Sequence, residues 1–134
     1  NAENFMQIRL QRWLFDALFP GRQLLFVCRY PQENLEHLRP WLLRIPNHYI
    51  HFGDFDLAGV HIYLSEFYAH LGNRSSFLVP SDIEERLAEG NAALYNQQYA
   101  RFRNMAVTDV RLQPLVNMIH HYRRGYEQEG YIFP

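Results

Sequence analysis

The order of patterns along the chain predicts an α/β fold, a parallel sheet flanked by helices. Three observations carry this. Residues 23–29, 48–53 and 76–79 are short apolar runs of strand length. Segments with helical spacing lie before, between and after them. Strands that alternate with helices pair in parallel and are covered on both faces. Right-handed crossovers then bring every strand C-terminus to one edge, and ligands of such sheets bind outside that edge.

Residues 4–18 place Phe5, Ile8, Leu10, Trp13, Leu14 and Leu18 at helical spacing, and Pro20-Gly21 stops the pattern. The run Leu24-Leu25-Phe26-Val27-Cys28 within 23–29 fits a strand buried on both faces. Residues 33–44 form a helix with Leu35, Leu38, Trp41 and Leu42 on one side, broken or kinked at Pro40. Tyr49, Ile50 and Phe52 mark the second strand, at 48–53. Residues 57–71 form a strong helix ended by Gly72. Ser76 to Val79 is the third strand, closed by Pro80. Ser81-Asp82-Ile83-Glu84 reads as a capping box that starts a helix at Asp82. Gly90 interrupts it, helix resumes over 91–103, and a last helix runs over 109–124 to Gly125. The tail from Tyr126 to Pro134 reads as irregular or short-stranded.

The 134 residues suit one domain, 1–134, without internal repeats. No stretch nears the ~20 apolar residues that span a bilayer, and no signal peptide is visible. The single cysteine, Cys28, excludes a disulfide framework and a Cys-rich zinc site. It sits in an apolar run as a structural thiol, and points to a reducing, cytoplasmic setting. Net charge is −1, so nucleic acid would have to meet a local patch. All 13 basic residues are arginine. The absence of lysine excludes a Walker-type phosphate loop, Schiff-base chemistry and Ser-Lys catalysis. Arginine still grips phosphate in a bidentate fork.

The informative stretch is His51-Phe52-Gly53-Asp54-Phe55-Asp56-Leu57-Ala58-Gly59. It lies where the second strand ends and a helix begins. Carboxylates at i and i+2 of extended chain project to the same side. Two such charges are costly together unless a cation lies between them, and hard oxygen ligands suit Mg²⁺ or Mn²⁺. Gly53 and Gly59 allow a tight backbone turn. A plain helix cap is the competing reading, since Asp is a favoured N-cap, but capping needs only one of the pair.

Gly53 to Gly59 resembles the second acidic motif of Toprim domains. The likeness is to the branch containing the topoisomerase VI A subunit and the nuclease subunit of Wadjet-type plasmid-defence systems. There the motif reads roughly Gly-Asp-(Ile/Phe)-Asp-x-x-Gly and opens a helix. Ser76-Phe77-Leu78-Val79 is similar to the short strand that follows in the Wadjet nuclease. Glu127-Gln128-Glu129 is similar to a run near that family's C-terminus. The resemblance implies a Toprim-like (Rossmann-like) sheet whose first strand, with its glutamate, is largely missing from a C-terminal fragment. Asn1 and Phe5 fit the spacing after that glutamate; Glu3 is the other candidate. The resemblance also implies metal-dependent DNA cleavage, with Asp54 and Asp56 holding Mg²⁺ or Mn²⁺ and Glu3 or an upstream glutamate as acid–base. It implies that Glu127 and Glu129 support the ligands from behind, and that DNA and condensin-like SMC subunits are partners. The missing strand leaves a sheet edge that a second copy can pair with, giving a homodimer.

His120-His121-Tyr122-Arg123-Arg124 is the densest basic segment. His121, Arg123 and Arg124 are DNA-contact candidates, set against an ordinary helix C-terminus that favours cations. His51 reads as a satisfied strand residue, and His61 as able to face the site. Tyr95, Tyr99 and Phe102 form a packing stripe. Ser65 and Ser81 lack catalytic surroundings. Two rivals to the nuclease stand. One is a degenerate Toprim-like module that binds DNA or a partner without cutting. The other is a haloacid-dehalogenase-like phosphatase, which also uses Asp-x-Asp after a strand but normally has a downstream lysine.

Overall fold

The computed structural model describes residues 2–29 and 35–132. The fold is mixed α/β, mostly helical, around one small parallel sheet of two strands. Strand β1 (Tyr49–His51) pairs with β2 (Ser75–Phe77), with His51 opposite Phe77. Leu78 N–H donates to the His51 carbonyl at 2.8 Å and extends the ladder by one residue. Both strands are shorter than the sequence pattern predicts.

The predicted helix over 4–18 divides into α1 (Ala2–Met6) and α2 (Arg12–Leu18). The joint between them turns through i→i+3 bonds such as Leu10 N–H to Gln7 O. Gln11 is fully buried there, and its side-chain amide donates to Asn4 Oδ1. A buried polar pair thus occupies the face that a continuous helix would have filled with apolar groups.

The strand expected at 23–29 is absent. The segment has no regular structure, and Leu25 is 77% exposed. Among the described residues no backbone hydrogen bond pairs with it, and of its apolar side chains Phe26 packs against Phe15 while Leu24, Leu25 and Val27 are exposed. Helix α3 (Leu35–Arg44) runs through Pro40 without ending there. It buries Leu38 and Leu42, while Trp41, expected on the same side, is exposed. The helical start predicted at 33–34 lies outside the described residues, as do Asn1 and the last two residues of the tail.

The long helix after the motif begins as α4 (Leu57–Ile62), widens into a π-helical stretch at Tyr63–Tyr68 and closes as α5 (Ala69–Leu71). Gly72, at φ +55°, ends it as predicted. The wide turns aim the buried Tyr63 hydroxyl at Asp109 Oδ2, 2.9 Å away. Arg111 closes this knot with bonds to both Asp109 oxygens and to the Ser75 carbonyl.

Helix α6 (Ile83–Ala88) starts after Asp82, but the capping box does not form. The Asp82 carboxylate instead takes Arg86 at 2.6 Å and the Tyr131 hydroxyl at 3.0 Å. Asn91 caps α7 (Ala92–Phe102) through Leu94 N–H. Asp109 caps a 3₁₀ turn at Val110–Leu112 that leads into α8 (Gln113–Tyr122). Arg123, at φ +54°, terminates α8 before the predicted stop at Gly125.

The C-terminal segment is not a loose tail. Phe55 and Tyr126 exchange backbone hydrogen bonds of 2.8 and 3.1 Å, and a 3₁₀ turn follows at Gln128–Tyr131. Tyr131 is fully buried against Phe55 and Phe52. Arg86 holds the turn from outside, lying 4.1 Å over the Tyr131 ring and bonding Tyr126 and Gly130. This docking sets residues 126–131 directly onto the acidic motif.

Candidate functional site

The motif sits where the sequence predicts, between the end of β1 and the start of α4. Phe55 and Leu57 are fully buried and pin the turn from below. Gly59 packs so close that a Cβ there would lie 2.1 Å from the Asp54 carbonyl oxygen. Only glycine lets the first turn of α4 close over the preceding loop.

The two aspartates have different jobs. Asp56 is the N-cap of α4, with 4% of its surface exposed. Its Oδ1 accepts from Gly59 N–H at 2.6 Å, and its Oδ2 accepts from the Gln98 amide of α7 at 2.8 Å. Burial is the main cause that raises its pKa, and the Asp54 charge adds to it. Asp54 is half-buried and faces the rim of a groove beside β1. Its Oδ1 accepts from Gln128 N–H of the C-terminal turn at 3.0 Å.

That turn brings a second acid close. Glu129 is partly buried, and its Oε2 is enclosed with no hydrogen-bond partner among the described residues. Desolvation raises its pKa first, and the charges of Asp54 and Glu127 raise it further. Glu127 itself is exposed, one residue before the turn. Glu3 lies on α1, which packs against the Gln128–Tyr131 turn, and its side chain is exposed. The C-terminal turn thus brings Glu129 within electrostatic reach of Asp54 and of Glu127, just beyond the C-terminal end of β1. Among the described residues, no three His, Cys, Asp or Glu side chains converge tightly enough to hold a metal ion.

The remaining candidates are placed as follows. His51 is buried, its Nδ1 3.0 Å from the Tyr49 hydroxyl. Burial pushes its pKa down to about 3, helped by the Arg29 charge, so it is a neutral core group at pH 7. His61 packs on the Phe102 ring, 5.0 Å between centroids. Arg124 turns to the Gly90 carbonyl at 3.1 Å, and His121 lies edge-on to Tyr122. Arg123 lines a shallow hollow with Arg103, His120 and Tyr99. Among the described residues, no hydrogen bond joins Arg123, Arg124 or His121 to Asp54, whose carboxylate takes Gln128 N–H.

Sequence reasoning missed Gln98 and the Gln128 backbone N–H. Gln98 bonds the motif twice, accepting from Ala58 N–H at 3.1 Å while donating to Asp56. Nothing in its local sequence distinguishes it, because its neighbours read only as a packing stripe. Among the described residues, no helix is long and apolar enough to cross a membrane.

No curated protein and no solved structure matches the sequence significantly. One family model does, over residues 7–132, nearly the whole chain. The chain belongs to that family, DUF7281, a domain of unknown function.

Proposed function

We propose that this chain is the Toprim-like, divalent-cation-binding part of a DNA-cleaving protein. The observation that carries the reading is Glu129 Oε2, enclosed and without a hydrogen-bond partner among the described residues, within electrostatic reach of Asp54 beyond the C-terminal end of a parallel strand. An oxygen left without hydrogen bonds among negative neighbours is stabilised by a cation. Asp54 and Glu129 fit as its direct oxygen ligands, with Glu127 behind them. Asp56 fits less well, because both its oxygens are engaged; it reaches a cation only by releasing Gln98.

Bound Mg²⁺ or Mn²⁺ would supply charge stabilisation for a phosphodiester under attack. The chain's own residues have definable tasks. Asp56 and Gln98 fix the turn that presents Asp54. The Gln128 N–H orients the Asp54 carboxylate. Glu3, exposed on the adjoining helix, is placed as the acid–base group of this reading. DNA is the partner, with Arg123 and His121 as outlying phosphate contacts. Condensin-like SMC subunits, a homodimer and a cytoplasmic setting belong to the same proposal.

One observation favours a second reading, a DNA- or partner-binding module that does not cut. Asp56 is committed to structure, which leaves fewer free ligands than cleavage chemistry usually employs. Two measurements separate the readings. Millimolar Mn²⁺ is expected to raise the melting temperature at pH 7 and to lose that effect in Asp54→Asn and Glu129→Gln. A ligand at a hundred times its Kd adds about 2.7 kcal/mol. The shift fades as pH falls, since both carboxylates must be ionised to bind. Supercoiled plasmid with the full-length protein then tests cutting. No Mn²⁺ shift in the parent removes the metal site; a shift without nicking leaves the binding module.

A further inference from the structure

Charge is divided unevenly along this chain. With histidine neutral, residues 90–126 hold five arginines and one acid, Asp109, for a net +4; the remainder holds eight arginines and thirteen acids, for a net −5. Asp109 is buried and paired with Arg111, and neither α7 nor α8 carries an acid. An open hollow of about 510 Å³ lies in this basic stretch. Tyr95 and Tyr99 of α7 line it, with Arg103 and Asn104 just past that helix, His120 of α8, and Arg123 just past α8. Its floor is firm. Tyr95 is buried with its hydroxyl 2.9 Å from His120 Nδ1, and the rings of Tyr95, Tyr99 and His120 all touch one another. Tyr99, Arg103, Asn104 and Arg123 are exposed above it.

Cations collect at helix C-termini because the carbonyls there carry negative charge. Arg124 behaves so, donating to the Gly90 carbonyl beyond α6. Arg103 and Arg123 do not. Among the described residues, neither side chain bonds a carbonyl or a carboxylate; Arg103 lies 5.9 Å over the Tyr99 ring, and the Arg123 charge reaches the Tyr95 hydroxyl. Arg123 is also the one non-glycine residue with positive φ among the described residues, at +54°. A side chain strains that conformation and glycine does not. The strain has a purpose if the guanidinium serves a ligand in the hollow.

We propose that this hollow binds one nucleotide, its phosphate held by Arg103 and Arg123 and its base laid on the Tyr99 ring. Two guanidinium groups without an anion match the oxygens of a phosphate. An exposed tyrosine offers any base a stacking face, and the Asn104 amide can both donate to and accept from a base edge. An acidic peptide would use the arginines but not the ring. A duplex keeps its bases stacked within itself, so the nucleotide is free or belongs to a single strand. In the strand form the site rests on the DNA reading above; in the free form it stands apart from it. None of the six residues belongs to the acidic motif or the C-terminal turn.

Equilibrium dialysis with the full-length protein tests this, in EDTA so that the cation site stays silent. The probes are dAMP, inorganic phosphate and a short single strand of deoxyadenosine. dAMP is expected to bind about tenfold or more tightly than phosphate, the increment of one base stacked on an aromatic ring. Arg103→Gln and Arg123→Gly are each expected to weaken dAMP by about tenfold. Tyr99→Leu is expected to weaken dAMP but not phosphate, and Tyr99→Phe to bind as the parent does. Arg123→Gly suits its φ and is expected to melt no lower than the parent, which separates lost binding from lost fold. Should it melt lower, Arg103→Gln, at an exposed position, decides in its place. A strand that binds about tenfold or more tightly than dAMP makes a single strand the ligand; otherwise the ligand is the free nucleotide. Absence of binding by dAMP and the strand overturns the proposal. So does phosphate binding as tightly as dAMP, or dAMP binding indifferent to Arg103→Gln or to Tyr99→Leu. Asp54→Asn is expected to bind dAMP as the parent does, so failure here is separable from failure of the cation site.

Discussion

Asp54 and Asp56 differ by two positions, and they should separate cleanly under mutation. Asp56→Ala removes the N-cap of α4, a loss of about 0.5–2 kcal/mol. It also strands the Gln98 amide and the Gly59 N–H in a closed site, at about 1–3 kcal/mol for an unsatisfied buried group. Relief of a desolvated charge next to Asp54 offsets part of this. The net expectation is a loss of about 3 kcal/mol, or about 10 °C in melting temperature for a chain of this size. Asp56→Asn keeps a good cap but sets its amide against the Gln98 amide, whose orientation is fixed by Ala58 N–H; about 1 kcal/mol is expected. Asp54→Asn retains an oxygen for Gln128 N–H and should stay within about 0.5 kcal/mol of the parent. Urea unfolding followed by circular dichroism measures all three. If Asp56→Ala melts with the parent, or Asp54→Asn loses as much as Asp56→Ala, the division of labour is wrong.

Gly59→Ala drives a methyl into the Asp54 carbonyl oxygen at 2.1 Å, and neither backbone can yield; a loss of about 3 kcal/mol is expected, read as a lower urea midpoint at unchanged m. Acid should weaken the fold through His51. Its folded pKa of about 3 lies below the ordinary 6.5, so its stabilisation is complete above pH 6.5 and is lost as pH falls toward 3. Each unit of that shift is worth at most about 1.4 kcal/mol. Asp56 and Glu129 act in the opposite sense, because raised carboxyls lose their penalty on protonation. The pH profile of parent minus His51→Leu isolates the histidine, and a flat difference from pH 7 to 4.5 would refute its neutral burial.

The motif's place at a strand-to-helix turn was legible because it rests on local chemistry. A glycine-flanked acid pair at the end of an apolar run, followed by helical spacing, can hardly be other than a strand-to-helix turn. The helix from Leu57 to Gly72 was legible for the same reason, although its π-helical middle was not. What failed depended on neighbours. The run at 23–29 has the composition of a buried strand, but burial is a property of what lies alongside, and among the described residues only Phe26 packs against the core while Leu25 and Val27 face outward. Tyr126 to Tyr131 has no periodicity, yet its pairing with Phe55 and the ring contacts of Tyr131 make it part of the core. The Ser81–Glu84 pattern looked like a cap, but the long-range pull of Arg86 and Tyr131 on Asp82 outweighed it.

The split between the aspartates follows from the turn itself. A chain that leaves a strand and enters a helix must supply an acceptor to the first free N–H groups of that helix. Asp56, extended at φ −142° and three residues before Gly59, is the residue that can. A cation shared by the pair needs both side chains free, whereas the helix claims Asp56 as its cap. In the proposed cation site, Asp54 takes its companion ligand from the docked C-terminal turn, in Glu129. On the proposed reading, cation binding by this chain depends less on the Asp-x-Asp pattern than on the segment after Gly125 closing over it. A variant that loosens that closure, such as Arg86→Met, should lower cation affinity even though Arg86 touches neither acid. If Arg86→Met instead binds Mn²⁺ as the parent does, the turn is a bystander and the aspartate pair alone must account for the site.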